Sequence, residues 1–306
     1  MESSLPREAA GGADAPGRPV EIEAATNRYL VHPASRALVD RLIATAATPN
    51  QVSVASVFAA AAGAACYAWA PWPWGPFAGL ACFFAWHVLD GADGDLARRT
   101  GRASTGGELI DGICDHVSQA LLYVALAIVL QRNLGASAWA IAATAALCHF
   151  VQANAYETGR KTYRRWVHGA TWMRQNPEAL AHESATGKAL AGAYLWVSGL
   201  ANPGEARIEA AMGPRLAQGG AGAEAARGLY RRLYAPLVRA SGVLGGNTRT
   251  LAAFASLLIR APLWFFAFEI VVLNLALIGL TLWRRDRDGA LRTRLGPPAQ
   301  AALAPN

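Results

Sequence analysis

Residues 262–283 form a nearly unbroken apolar run in which Glu269 is the single ionisable side chain, and the run closes on Arg284 and Arg285. About 20 apolar residues are enough to cross a bilayer as a helix, and in hydrocarbon each segment has to satisfy its own backbone polar groups. Such a run restricts the chain to a bundle of long helices. Stretches at 52–67, 77–89, 110–131 and 136–156 read as spans of the same kind. Trp69, Trp72 and Trp74 lie between the first two, where an aromatic belt at a membrane interface would sit. One further span is weaker. Residues 251–259 are short and reach spanning length only if 246–250 join them, while 190–200 is a rival with polar flanks. Choosing 246–261 gives six spans with both basic ends on one side. The expected fold is an all-α integral membrane protein with six transmembrane helices.

Only 16% of the residues are charged, against about 25% in a soluble domain. The net charge of +7 raises the question of nucleic acid, and its distribution argues against it. Of 28 Lys and Arg, five precede residue 52, three lie in 98–102, thirteen in 157–249 and five after 283. Arg132 and Arg260 alone fall in connections on the opposite side, which is the positive-inside pattern. The basic surface then faces anionic lipid headgroups and an anionic nucleotide, and the expected location is a bacterial inner membrane with both termini cytoplasmic. Cys66, Cys82, Cys114 and Cys148 lie in apolar stretches without zinc spacing and read as small packing residues. No signal peptide is evident in the first 20 residues.

Residues 1–20 are expected to be disordered and 21–51 to form a juxtamembrane segment. Within that segment an amphipathic helix at 34–46 carries Leu38, Val39, Leu42 and Ile43 on one face, suited to lying on a leaflet or to packing on the protein. Residues 52–156 hold the first four spans, 157–245 a large cytoplasmic helical elbow, 246–285 the last two spans and 286–306 a cytoplasmic tail.

Four aspartates lie at the ends of the second and third spans. Asp90 and Asp93 are spaced i, i+3, and Asp111 and Asp115 i, i+4, so each pair shares one helix face. The connection between them is short and rich in Gly, Ser and Thr, so antiparallel helices would point all four carboxylates at one spot. Each charge costs on the order of 3 kcal/mol in a bilayer, and the four repel one another. A divalent cation offsets this most economically, and hard oxygen ligands suit Mg2+ or Mn2+. Gly94 and Ala97 continue the first face with small side chains that let a planar base or diphosphate approach. Arg98 and Arg102 offer cationic forks to phosphate oxygens. Ser104, Thr105, Gly106 and Gly107 open the next helix with hydroxyls and N–H groups suited to an anion.

The segment Asp90-Gly-Ala-Asp93-Gly94-Asp-Leu-Ala97-Arg98, eight residues, then Gly107-Glu-Leu-Ile-Asp111-Gly-Ile-Cys-Asp115 resembles the CDP-alcohol phosphotransferase signature, D-x2-D-G-x2-A-R-x8-G-x3-D-x3-D, at every fixed position. Thr48-Pro49-Asn50-Gln51-Val52-Ser53 is similar to the family's usual lead-in to the first span. The resemblance implies that Asp90, Asp93 and Asp111 hold the metals. It implies that Asp115 activates the acceptor hydroxyl and also touches a metal. It places Gly94, Ala97 and Arg98 along the CDP moiety; with Asn50, Arg102, Ser104 and Gly107 they make up the expected nucleotide-binding set. The implied reaction is attack by an alcohol on the β-phosphorus of a CDP-alcohol, with CMP leaving. The leading expectation has CDP-diacylglycerol as donor and a small polar alcohol as acceptor; the alternative donates a CDP-activated headgroup to diacylglycerol. The resemblance also implies a homodimer, for which the spans carry no clear GxxxG signal. The long elbow is not explained by it. A divalent-cation transporter is the reading from another class, and the clustering of the aspartates at one rim beside arginines speaks against it.

His149, Gln152, Tyr156 and Arg160 form a polar stripe on the fourth span, suited either to the acceptor alcohol or to interhelical hydrogen bonding. His87 either borders the site or packs in the bundle. His116 is turned about 100° from Asp115 and is not preferred as base. Glu269 is expected to pair with Arg260 or to snorkel, and Arg160, Lys161, Arg164 and Arg165 to form a solvated basic face.

Overall fold

The computed structural model describes residues 19–170 and 204–296, with 188, 189 and 192 between them. Most of the expected disordered N-terminus, the rival span at 190–200 apart from 192, and the chain beyond 296 lie outside the described residues. Among those described there is no strand. The described residues form nine α-helices in order: α1 His32–Leu42, α2 Pro49–Trp69, α3 Trp74–Arg99, α4 Thr105–Leu134, α5 Ser137–His168, α6 Glu205–Gln218, α7 Gly220–Ala240, α8 Gly246–Leu258 and α9 Leu263–Leu295, which contains a π-helical turn at Phe268–Val272.

Among the described residues three helices are both long and apolar enough to cross a membrane: Pro49–Trp69, Gly106–Leu134 within α4, and Leu263–Leu295. Their outward residues are apolar, with Phe58, Leu275, Ile278 and Leu282 all exposed; large exposed apolar surface of this kind needs a partner, and lipid supplies it. The protein is a helical membrane protein. Helices α3 and α5 exceed α2 in length but carry more ionisable side chains. Helix α8, with 13 residues, spans about 20 Å. Trp69, Trp72, Trp74 and Trp264 are exposed at one end of the bundle, where Arg260 stacks on Trp72 at 5.8 Å.

Helix α2 is the wedge of the bundle. It packs along both α3 and α4, which touch each other little. Its start is set by a capping box: Thr48 Oγ1 accepts from Gln51 N at 3.3 Å and Gln51 Oε1 accepts from Thr48 N at 2.9 Å. Close approach to α3 relies on two glycines facing rings. A Cβ on Gly63 would lie 2.8 Å from Phe83, and one on Gly79 2.2 Å from Tyr67. Around this seam Phe83, Leu122, Leu126, Phe265 and Phe266 form a fully buried core. The four cysteines are free and partly buried, as packing residues would be.

A charged knot ties α5, α8 and α9 together inside the bundle. Arg249 and Glu269 are both wholly buried, 3.1 Å apart. Arg249 Nη2 donates to Gln152 Oε1 at 2.6 Å, and its Nη1 donates to the Leu244 carbonyl. Gln152 Nε2 donates to the Glu269 carbonyl at 3.1 Å and to Asn274 Oδ1 at 2.9 Å. Glu269 therefore pairs with Arg249, not with Arg260, and does not snorkel. The physical reason is that the π turn holding Glu269 faces inward onto α8, while Arg260 lies beyond the far end of α8. Arg249, which by sequence belongs with the basic residues facing anionic headgroups, is in the core.

The elbow is a second core in its own right. Helix α5 continues without a break past residue 156 to His168, and Tyr163 and Trp166 at its end meet Ile208 and Met212 of α6, Tyr230, Leu233 and Tyr234 of α7, and Leu291 of α9. Arg165 pairs with Glu209 at 2.5 Å, and Arg160 with Glu157 at 3.0 Å; these residues are in ion pairs instead of on a free basic face. The segment 286–295, expected in a tail, is helical and buries Leu291. The expected helix at 34–46 appears as α1; Val39 is buried against Val52, Ala92 and Leu96, and Ser35 Oγ donates to the Val88 carbonyl at 2.8 Å. Its inner face is docked on α3, and Ile43 lies beyond its end, exposed.

Replacing Arg249 by Leu strands a buried carboxylate, and an unpaired buried charge costs about 3–5 kcal/mol. Thermal unfolding of the detergent-solubilised protein is expected to show a large drop in midpoint for Arg249→Leu and recovery of most of it in Arg249→Met with Glu269→Leu. Equal midpoints for wild type and Arg249→Leu would remove the pair from its structural role.

Candidate active site

The seam where α2, α3 and α4 meet carries the acidic cluster. Helix α3 ends at Arg99, Thr100 Oγ1 donates to the Leu96 carbonyl at 2.7 Å, and Gly101 turns the chain with φ +67°. A side chain there would be strained. Ser104 then caps α4, its Oγ accepting from Gly107 N at 3.0 Å. This five-residue connection brings the aspartates of α3 and α4 face to face.

The carboxyls meet in pairs, Asp90 against Asp115 and Asp93 against Asp111, each within hydrogen-bonding reach. Asp93 is the most deeply placed, 3% exposed, and it is held from two sides. Ser53 Oγ of α2 donates to Oδ2, and the Gly94 N–H donates to Oδ1. One Asp115 oxygen, Oδ1, is buried with no hydrogen-bond partner. All four carboxyls act on the Cys114 thiol, so they occupy one neighbourhood. Among the described residues no three His, Cys, Asp or Glu side chains are grouped as a metal-holding set. As donors the four carboxyls fit a hard divalent cation: all are carboxylate oxygens, one is orphaned, and carboxylates in contact repel unless a cation or proton lies among them.

The nucleotide candidates are partly assembled. Asn50 Oδ1, at the start of α2, comes within 3.8 Å of the place a Cβ on Gly107 would take, and Ser104 Oγ within 3.2 Å. Asn50, Ser104 and Gly107 thus share one corner. Arg98 Nη2 donates to Asp95 Oδ1 at 2.6 Å, and its Nη1 lies 3.3 Å from a Cβ position on Gly94, so the guanidinium folds back over that glycine. Ala97 is half-buried on the same face, and Arg102 is exposed on the connection.

The acceptor stripe divides. His149 and Gln152 face the charged knot, with His149 Nδ1 3.9 Å from Glu269. Tyr156 and Arg160 stack on each other, the guanidinium 5.4 Å over the ring; the ring packs on Gly245, while Arg160 pairs with Glu157 beside the aspartates. His87 Nε2 lies 2.9 Å from Thr250 Oγ1, between α3 and α8. His116 Nδ1 is 2.6 Å from its own helix at the Gly112 carbonyl, and the ring is exposed.

Three further groups border the seam. Ser53 lies inside the lead-in segment, but no sequence pattern says that it meets Asp93, 40 positions on. Lys161 Nζ donates to Glu108 Oε1 at 2.7 Å, tying α5 to the first turn of α4. Glu157 adds a negative charge near Asp90 and Asp115. Burial alone would push the Glu157 carboxyl up; Arg160, Lys161 and Arg164 outweigh it and hold it below the usual range.

An all-helical membrane domain with paired carboxyls in an interhelical seam is the frame in which the comparison falls. Residues 46–195 match the family model for CDP-alcohol phosphatidyltransferase, and the match contains Asp90, Asp93, Asp111 and Asp115. This stretch is thus similar to a CDP-alcohol phosphatidyltransferase domain, a family whose reaction class is transfer of a phosphatidyl-type group from a CDP-alcohol. No curated protein and no solved structure matches the chain.

Ser53 donates to a charged acceptor, a bond worth about 1.5–3 kcal/mol. Ser53→Ala is expected to slow transfer by roughly 10–100-fold, with Ser53→Thr retaining most of the rate. An unchanged rate in Ser53→Ala would show that Asp93 needs no such anchor.

Proposed function

We propose that the protein moves a phosphatidyl group from CDP-diacylglycerol to a small polar alcohol, with release of CMP. The reaction would run at the cytoplasmic rim of a bacterial inner membrane. Helices α2–α5, α8 and α9 would cross this membrane with both termini inside. The basic bias of the aspartate side and the tryptophans at the opposite end of the bundle support this orientation. The observation that carries the reading is the meeting of four carboxyls in one seam of the matched domain, with Asp115 Oδ1 buried and unpartnered.

In this reading Asp90, Asp93 and Asp111, with Asp115 at the margin, would hold divalent cations, Mg2+ or Mn2+, which when bound supply neutralisation of the diphosphate charge. Ser53 and the Gly94 N–H fix Asp93 and so fix the orientation of the set. Asn50, Ser104 and Gly107 form a corner for the nucleotide, with Arg102 at its mouth. Asp115 takes the proton from the acceptor hydroxyl as that oxygen bonds to the β-phosphorus, and CMP leaves with the electron pair of the broken P–O bond. Arg160, paired with Glu157 beside the aspartates, would meet the acceptor from α5, with the Tyr156 ring behind its guanidinium. His149 and Gln152 lie deeper and position that helix through the charged knot.

The direct test incubates the purified protein with CDP-diacylglycerol and inositol, inositol phosphate, glycerol phosphate or serine, and follows CMP. CMP formed from a CDP-activated headgroup and diacylglycerol, but not from CDP-diacylglycerol, would reverse the direction of transfer. Asp115→Asn is expected to lower the transfer rate by roughly 10²–10⁴-fold while CDP binding stays measurable by calorimetry; wild-type rates would exclude it as the base. Asp90→Asn is expected to weaken nucleotide binding in the presence of Mg2+ or Mn2+ and to leave the weaker binding in EDTA unchanged. An equal loss in both media would assign Asp90 a structural role.

A further inference from the structure

On the far side of α5 from the aspartates, a cavity of about 430 Å³ opens where α5, α7 and α9 converge. Ala155 and Tyr156 form its α5 wall. Its chemistry changes along one face of α9. Leu277 and Leu280 line one part, together with Leu237 and Leu244, whereas Arg284, Arg285 and Arg292 line the other, joined by Arg207 of α6. These α9 positions recur at helical spacing, so a single stripe passes from apolar to basic within one turn, beside Trp283 at the end of the apolar run. That is the chemistry of a boundary between hydrocarbon and headgroups.

The charge balance of the lining is strongly positive: four arginines face one carboxylate, Asp288. Asp288 accepts from the Tyr234 hydroxyl and is attracted to Arg207, Arg284 and Arg292, so it offsets one of the four positive charges and leaves the lining basic. A cavity of this size suits a small amphipathic molecule. A free phosphate would use the arginines and leave the leucines bare; an uncharged lipid would do the opposite.

We propose that this cavity binds one anionic phospholipid, with its phosphate among Arg207, Arg284, Arg285 and Arg292 and part of an acyl chain against Leu237, Leu244, Leu277 and Leu280. The site is separate from the carboxyl seam and holds whether or not the transfer reading stands, because its readout is binding alone. Its position on α5 makes the lipid a brace between the bundle and the second core.

The test uses the full chain in a neutral detergent, titrated with phosphatidylglycerol, phosphatidylcholine or inorganic phosphate, with bound lipid counted by native mass spectrometry. Arg207→Gln/Arg285→Gln/Arg292→Gln changes exposed residues of the site, and Arg232→Gln/Arg287→Gln/Arg294→Gln removes the same charge elsewhere. The wild type and the second variant are expected to retain one phosphatidylglycerol in preference to phosphatidylcholine. The first variant is expected to bind it on the order of 100-fold more weakly, each arginine near a lipid phosphate contributing about tenfold or less. Thr281→Trp, which fills the mouth without altering charge, is expected to abolish the retained lipid. Equal retention by both triple variants, no preference over phosphatidylcholine, or displacement of the lipid by millimolar inorganic phosphate would each overturn the assignment.

Discussion

Crowding of carboxylates in a half-buried seam is the constraint around which the rest of the molecule is arranged. Four like charges at the meeting of three helices repel one another with little solvent to screen them. The surrounding structure answers locally. Ser53 and the Gly94 N–H hold Asp93, Arg98 answers Asp95, and Lys161 reaches Glu108 from α5. A tight connection turned by Gly101 prevents α3 and α4 from sliding apart. The seam is thus a three-helix construction, with α2 as the wedge that both aspartate-bearing helices lean on.

Deeper in the bundle the same problem is solved differently. Arg249 and Glu269 neutralise each other directly and recruit Gln152, Asn274 and the Leu244 carbonyl. Interhelical hydrogen bonds in a membrane protein contribute modestly one by one, but a buried ion pair with its remaining donors and acceptors engaged fixes which helices are neighbours. Through it α8, only 13 residues long, is tied to α5 and α9, and the part of α5 that faces the seam inherits its position from this knot.

Features that depend on spacing within one helix were legible from the residues alone. The aspartates at i, i+3 and i, i+4 do come together, Asp90 with Asp115 and Asp93 with Asp111. Features that depend on which helix is the neighbour were not. The stripe from His149 to Arg160 is one line on a helical wheel, yet its two halves meet different partners. Glu269 could be seen as an expensive charge, but the choice between Arg249 and Arg260 is made by a π turn and a helix length that periodicity does not encode. Ser53 is an ordinary residue until α2 is seen to wedge between α3 and α4. The second core was hidden because its aromatic and aliphatic residues are scattered over α5, α6, α7 and the end of α9, each contributing too few to signal a domain.

Helix α5 runs for 32 residues without interruption, about 48 Å at the usual rise, whereas a hydrocarbon layer is roughly 30 Å thick. One rod therefore belongs to both cores, carrying Gln152 in the first, Glu157 beside the carboxyls and Trp166 in the second. With no hinge between these points, a small change in tilt imposed on the second core is delivered at the carboxyl seam as a proportional displacement. Helices α6 and α7 are mechanically the handle of a lever whose short arm borders the aspartates.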